Sequence, residues 1–256
     1  KAGRAKGRTY VTASAGNHGM SVAAGASAFG ASAVVYIAES VPEVFADRLR
    51  GLGAQVVREG AIYEDSMAAA LKAANDNCWD ILSDTSWPGY YERPHRLMEG
   101  YLMLMREAIE QVPEVPTHIF LQAGVGGLAG SCAALARDAW GAEPTIVVVE
   151  PELAPALVAS VKAGKFVTAE GPVSNMGRLD CKEPSLIALK GLARDADVFI
   201  TLTEDEGTAG ADLAQAHGYP SSTSGAAGLA GLVSTKESLA IGNDALVLCI
   251  LSEGPA

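Results

Sequence analysis

The sequence predicts an α/β protein of two lobes, each a mainly parallel twisted sheet flanked by helices. Three observations carry that expectation. Short β-branched or apolar runs alternate with helical patterns almost without interruption, which is the signature of parallel strands joined by crossover helices. Small-residue turns open helical patterns at residues 14–19, 122–130 and 221–229, the first two directly after such runs. The chain has 256 residues, 49% of them apolar, enough for two lobes with a sizeable core.

The strand-like runs fall at residues 10–13, 33–38, 54–59, 79–84, 118–123, 145–150, 198–203 and 245–251. After the second, Ser40 and Glu43 frame Val41 and Pro42 as a capping box, and Gly51 and Gly53 close the helix that follows. Residues 63–74 set Met67, Leu71 and Ala74 on one helical face. Residues 93–112 carry Leu97, Tyr101, Leu104 and Ile109 at helical spacing, and Pro113 and Pro116 end them in a loop. This places a boundary near residues 105–115, with a smaller lobe at 1–110 and a larger, ligand-holding lobe at 111–256. Residues 163–183 are polar and irregular and read as a long loop near the ligand. The chain lacks an initiating Met, and its last residues stop as a strand gives way to a turn, so it reads as truncated at both ends.

A net charge of −11 argues against nucleic acid and anionic membrane surfaces as partners, because both reward a basic face. The basic cluster Lys1, Arg4, Lys6 and Arg8 reads as solvated surface. No run reaches the roughly eighteen apolar residues of a membrane span. Cys78, Cys132, Cys181 and Cys249 lie far apart without CxxC spacing, which fits buried thiols in a reducing cytoplasm and no metal site.

The turn Ser14-Ala15-Gly16-Asn17-His18-Gly19 presents N–H groups and polar side chains at the carboxyl end of a strand, where open α/β sheets bind ligands. An ordinary βα turn, with Asn17 and the glycines supplying backbone freedom, is the alternative. In the second turn, Gly124, Val125, Gly126 and Gly127 can surround a phosphate with backbone N–H groups alone. The same glycines, with Glu150 ending the next strand, also read as a dinucleotide fingerprint, so a nicotinamide-dependent dehydrogenase is a rival. In the third turn, Ser224 either contacts a ligand or caps the next helix. A dinucleotide needs one such loop, whereas three loops suit a compact phosphorylated ring. Asp84 sits where a strand-end carboxylate can meet a substrate, or where a turn before Pro88 needs a cap.

Together, Ser14 to Gly19, the glycine turn 124–130 and Ser224-Gly225-Ala226 resemble the pyridoxal-phosphate enzymes of the tryptophan synthase β-subunit fold (fold type II), which include serine and threonine dehydratases. Within that family, residues 84–90, 121–127 and 179–185 are most similar to the diaminopropionate ammonia-lyases. The resemblance implies that the cofactor is pyridoxal 5'-phosphate and the reaction a β-elimination on a small amino acid, most similar to that on 2,3-diaminopropionate, giving pyruvate and ammonia. It implies that Asn17 meets the phenolic oxygen of the cofactor ring and that Gly124, Val125, Gly126 and Gly127 hold the phosphate. Ser224 would face the pyridine nitrogen, Ser14 and Gly16 would meet the substrate carboxylate, and Asp84 would be the catalytic carboxylate. A cytoplasmic homodimer is expected as well, with no residue assigned as a metal ligand. A serine- or threonine-type dehydratase of the same fold is the alternative.

Two positions depart from the family pattern. Its Schiff-base lysine lies several tens of residues before the Ser14 turn, and none of Lys1, Lys6, Lys72, Lys162, Lys165, Lys182, Lys190 or Lys236 has the matching context. That lysine is expected upstream of the sequence. Ala15 stands where the ammonia-lyase pattern has an aspartate. His18 and His95 read as packing histidines before general bases.

Overall fold

A computed structural model describes residues 3–255. The chain divides into two compact units, Lys1–Asp84 and Thr85–Ala256.

The first unit alternates strand and helix: β1 (Thr9–Ala13), α1 (Asn17–Phe29), β2 (Ser32–Ile37), α2 (Glu43–Gly51), β3 (Gln55–Arg58), α3 (Tyr63–Asn77) and β4 (Asp80–Ile81). Its strands are parallel, in the order β3-β2-β1-β4. The apolar run in β2 is continuous because both faces are covered. Val35 and Ile37 pack with Val22, Ala26, Ala46 and Leu49 of α1 and α2, while Val34 and Tyr36 pack with Ala70 and Ala74 of α3.

The second unit opens with α4 (Glu92–Gln111). There follow β5 (His118–Gln122), α5 (Gly127–Trp140), β6 (Thr145–Pro151), α6 (Ala156–Ala163), α7 (Leu186–Asp195), β7 (Val198–Leu202), α8 (Glu204–Ala216), α9 (Ala227–Thr235) and β8 (Val247–Cys249). Its parallel sheet runs β7-β6-β5-β8. Ile119 and Leu121 of β5 pack with Ala129, Cys132 and Ala133 of α5, and Phe120 packs with Ala227 and Ala230 of α9. Alternate residues of one strand thus feed two cores.

Four expectations change. The division falls between Asp84 and Thr85 rather than at 110/111, because α4 packs on α5 of the second unit. Ser131 Oγ of α5 donates to the Met98 carbonyl of α4 at 2.9 Å. The strand expected at 79–84 is the two-residue β4, since beyond Ile81 the Leu82 N–H still donates to Val11 O but the Leu82 carbonyl turns to His18. Ser40 does not cap α2; its hydroxyl donates to Ala61 O at 3.3 Å, and Pro42 holds the N-cap position. Of the four thiols expected to be buried, only Cys132 is fully so, and Cys78 is exposed. Burial pushes the Cys132 and Cys249 thiols up to about 12, which keeps both protonated and inert.

Among the described residues no helix is long and apolar enough to cross a membrane.

Candidate active site

Three residues carry the chain from β1 into α1. Gly16 is the N-cap in an extended conformation, with no side chain capping the helix, and its N–H donates to Ser14 Oγ at 3.3 Å. Asn17 opens α1 on the exposed side. His18 Nε2 lies 2.8 Å from the Leu82 carbonyl oxygen. That bond braces the chain leaving β4 against the turn, and the half-buried Asp84 follows two residues later. Ser14, Gly16 and Asn17 are therefore gathered in one turn, with Asp84 on the adjoining strand exit of the same unit. His95 lies on α4 beside Glu99 at 3.6 Å, two-thirds exposed.

In the second unit the turn after β5 is shaped by its glycines. Gly126 has φ +96°, a left-handed conformation costly for any side chain, and a Cβ there would stand 3.2 Å from Leu157 and Ala188. A Cβ on Gly124 would stand 3.0 Å from Cys181 Sγ and 3.1 Å from the Arg178 carbonyl oxygen. The Val125 carbonyl accepts the Ser185 N–H at 2.9 Å. α5 then begins at Gly127 with no capping side chain and no acid in its first turn. The N–H groups of a first turn have no partner within their helix, and with the helix dipole they make an anion site.

Ser224 is buried, and its Oγ accepts the Arg178 N–H at 3.1 Å. It does not cap α9, whose N-cap is Ala226. A hydroxyl that accepts one bond keeps its own proton for another acceptor. The irregular segment around Arg178–Cys181 thus touches both turns, and so Gly124, Val125, Gly126 and Gly127 are brought together with Ser224.

Several residues that organise this site were not singled out from sequence. Gln122, buried at the end of β5, shares its Nε2 protons among Gly225 O (3.1 Å), Ile250 O (2.8 Å) and Ser252 Oγ (3.0 Å). It ties the strand to the Ser224 turn and to the chain leaving β8. Its signal was a polar residue closing an apolar strand. Ser86 and Ser185 join their hydroxyls at 2.8 Å, fixing the two ends of otherwise distant loops. Lys182 Nζ donates to Leu153 O (2.8 Å), Pro172 O (2.9 Å) and Asp180 Oδ1 (2.5 Å), so this lysine is a clamp on the irregular segment.

Glu150 is not placed for a ribose. It is fully buried, and its two oxygens accept the Leu157 and Val158 N–H groups at 2.8 and 2.7 Å, capping α6. Burial pushes its carboxyl up to about 7 against the opposing pull of those two bonds. With both oxygens spent on α6, Glu150 cannot serve as the ribose acid of the dinucleotide reading. Among the described residues no three His, Cys, Asp or Glu side chains come together as metal ligands.

A family model described as "Pyridoxal-phosphate dependent enzyme" matches residues 1–253. The chain belongs to that family. Pyridoxal phosphate is accordingly its cofactor, and the nicotinamide alternative falls away. The residues present fit this group: the side-chain-free cradle at Gly124 and the uncapped start of α5 suit a phosphate, and the buried Ser224 hydroxyl suits a ring nitrogen.

Among pyridoxal-phosphate dependent enzymes, the diaminopropionate ammonia-lyase of Escherichia coli (strain K12) is 32% identical over 265 residues, covering 96% of this chain and 67% of that protein. The crystal structure of the E. coli enzyme in complex with an aminoacrylate-PLP azomethine reaction intermediate superposes with a TM-score of 0.89 at 31% identity, over 96% of this chain and 68% of that one. The L-threonine ammonia-lyase of Thermotoga maritima is less similar, 27% identical over 78% of this chain and 47% of that protein.

Proposed function

We propose that this enzyme removes the β-amino group of 2,3-diaminopropionate, giving pyruvate and two molecules of ammonia for each substrate and water consumed. The observation that carries the reading is the uncapped N-terminus of α5 joined to the buried Ser224 hydroxyl through Arg178–Cys181. Bound pyridoxal phosphate supplies the electron sink for charge left at the substrate α-carbon.

The chain's own groups then divide the work. The N–H groups of Gly124, Val125, Gly126 and Gly127 hold the phosphate dianion with the dipole of α5 behind them. Ser224 donates a neutral hydrogen bond to the ring nitrogen. A hydroxyl cannot keep that nitrogen protonated as a carboxylate does, so charge stays nearer the α-carbon and the β-substituent leaves before transamination competes. Asn17 hydrogen-bonds the ring's phenolic oxygen. Ser14 and Gly16 meet the substrate carboxylate at the start of α1. The Asp84 carboxylate favours the ammonium form of the β-amine, and an amine departs readily only when protonated.

Ala15 favours a second reading, a serine- or threonine-type dehydratase, because the ammonia-lyase pattern has an acid at that position. The weaker similarity to L-threonine ammonia-lyase stands against it. A cytoplasmic homodimer belongs to the same reading; the four free thiols support a reducing compartment, and the dimer rests on the family resemblance.

The test is to give the full-length holoenzyme L-2,3-diaminopropionate, L-serine and L-threonine and to measure pyruvate, 2-oxobutyrate and ammonia. The expected result is the diamine as best substrate with two ammonia per pyruvate. A kcat/KM for L-serine or L-threonine more than about tenfold above that for the diamine would replace the proposal with the dehydratase.

A further inference from the structure

Ser224 is held by Arg178 and its neighbour Gly225 by Ser222, and both connections end on one acid. On one side its Oγ accepts the Arg178 N–H at 3.1 Å, and the Arg178 side chain reaches Glu253 Oε2 through Nε at 3.3 Å. On the other side, Ser222 Oγ accepts the Gly225 N–H at 2.9 Å and donates to Glu253 Oε1. The Glu253 backbone carbonyl also accepts the Ser221 hydroxyl at 2.7 Å. Glu253 itself lies just beyond β8, in the strand exit that Gln122 ties to the Ser224 turn through Ile250 and Ser252. Its side chain is only 11% exposed, which is low for an acid.

A serine hydroxyl rotates freely unless its lone pairs are engaged. Here one lone pair is committed to Arg178, and the direction left for the proton depends on how the Arg178 peptide and the 221–225 turn stand relative to each other. Glu253 bonds groups on both sides of that relationship, so its carboxylate sets the angle between them.

We propose that Glu253 is a positioning residue that aims the Ser224 hydroxyl proton at the ring nitrogen, through Arg178 on one side and Ser222 on the other. The inference rests on the assignment of Ser224 to that nitrogen. Glu253 controls how firmly the nitrogen is hydrogen-bonded, and so how elimination divides against transamination, while the phosphate cradle at Gly124–Gly127 is left as it is. Removing the carboxylate takes away the Glu253 bonds to the Arg178 side chain and the Ser222 hydroxyl, and the Ser224 proton loses its fixed direction.

The experiment compares Glu253→Gln, Ser224→Ala and the double variant as full-length holoenzymes, with Ser222→Ala as a milder cut in the same network should Glu253→Gln fold poorly. The readouts are the pH titration of the cofactor absorbance, cofactor affinity, the ratio of pyruvate to transaminated cofactor, and kcat and KM separately. Glu253→Gln is expected to lower kcat about tenfold with KM within about twofold, to shift the absorbance titration, and to do neither in the Ser224→Ala background. Effects of the two substitutions that multiply, or a Glu253→Gln loss confined to KM or cofactor affinity, overturn the role of Glu253 while leaving Ser224 in place. A Ser224→Ala holoenzyme with an unchanged titration and product ratio removes Ser224 from the ring nitrogen, and the proposal with it.

Discussion

A Cβ on Gly19 would stand 2.1 Å from the carbonyl oxygen of Ser14, so the first turn of α1 presses directly on the turn that feeds it. No methyl group fits there without parting the two. Gly19→Ala should therefore open the Ser14–Asn17 turn, lower stability by more than about 2 kcal/mol and raise KM for the amino-acid substrate. Thermal melting and steady-state kinetics check both effects, and a Gly19→Ala enzyme with parent-like melting and KM would show that the turn is slack.

Glu150 links stability to pH. Its carboxyl stands at about 7 in the folded chain against an ordinary 4.5, because burial outweighs the two N–H bonds from α6. The folded state therefore binds more protons than the unfolded chain between those values. The stabilising contribution is fully present below the ordinary value and is lost as pH rises through about 7, a change of about 3 kcal/mol. Chemical denaturation of the parent and of Glu150→Gln should show the parent losing stability relative to the variant between about pH 5 and 8. A constant gap between the two across that range would mean that Glu150 is ionised throughout.

Replacing Ser224 with Asp keeps an acceptor for the Arg178 N–H and adds a charge opposite the ring nitrogen. The holoenzyme should then hold that nitrogen protonated and lose selectivity, with transaminated cofactor rising relative to pyruvate. Product analysis during turnover is the check, and an unchanged ratio counts against the assignment.

If Asp84 favours the ammonium form of the leaving amine, as proposed, Asp84→Asn should lower kcat on the diamine about a hundredfold. Since Ala15 replaces the second acid of the ammonia-lyase pattern, the L-diamine should be used and the D-isomer turned over only slowly. Rates on separated enantiomers test this, and comparable rates would remove the basis for assigning the acid role to Asp84 alone.

Eight strands were legible in the sequence because strands buried on both faces must be apolar throughout, and β2 and β6 show this most plainly. The unit boundary was not. The apolar stripe of α4 announces that the helix docks, but nothing local says that its partner is α5. The three turns were legible because backbone conformation and close approach leave their mark on residue type, as at Gly124 and Gly126. Glu253, Arg178 and Gln122 escaped notice for the opposite reason. Their partners lie 75 residues away for Arg178 with Glu253 and 103 for Gln122 with Gly225, and a polar side chain gives no local sign of a distant one.

The strand orders β3-β2-β1-β4 and β7-β6-β5-β8 are one wiring plan used twice, though no repeat is visible in the residues. In each half the winding reverses beside the first strand, and that reversal point is where open α/β sheets admit ligands. The loops at Ser14 and Gly124 are thus counterparts, each leaving a first strand. So are Asp84 and Glu253, each an acid a few residues beyond a fourth strand. The shared wiring therefore delivers a carboxylate to the same station of each sheet, beside the turn that leaves the first strand.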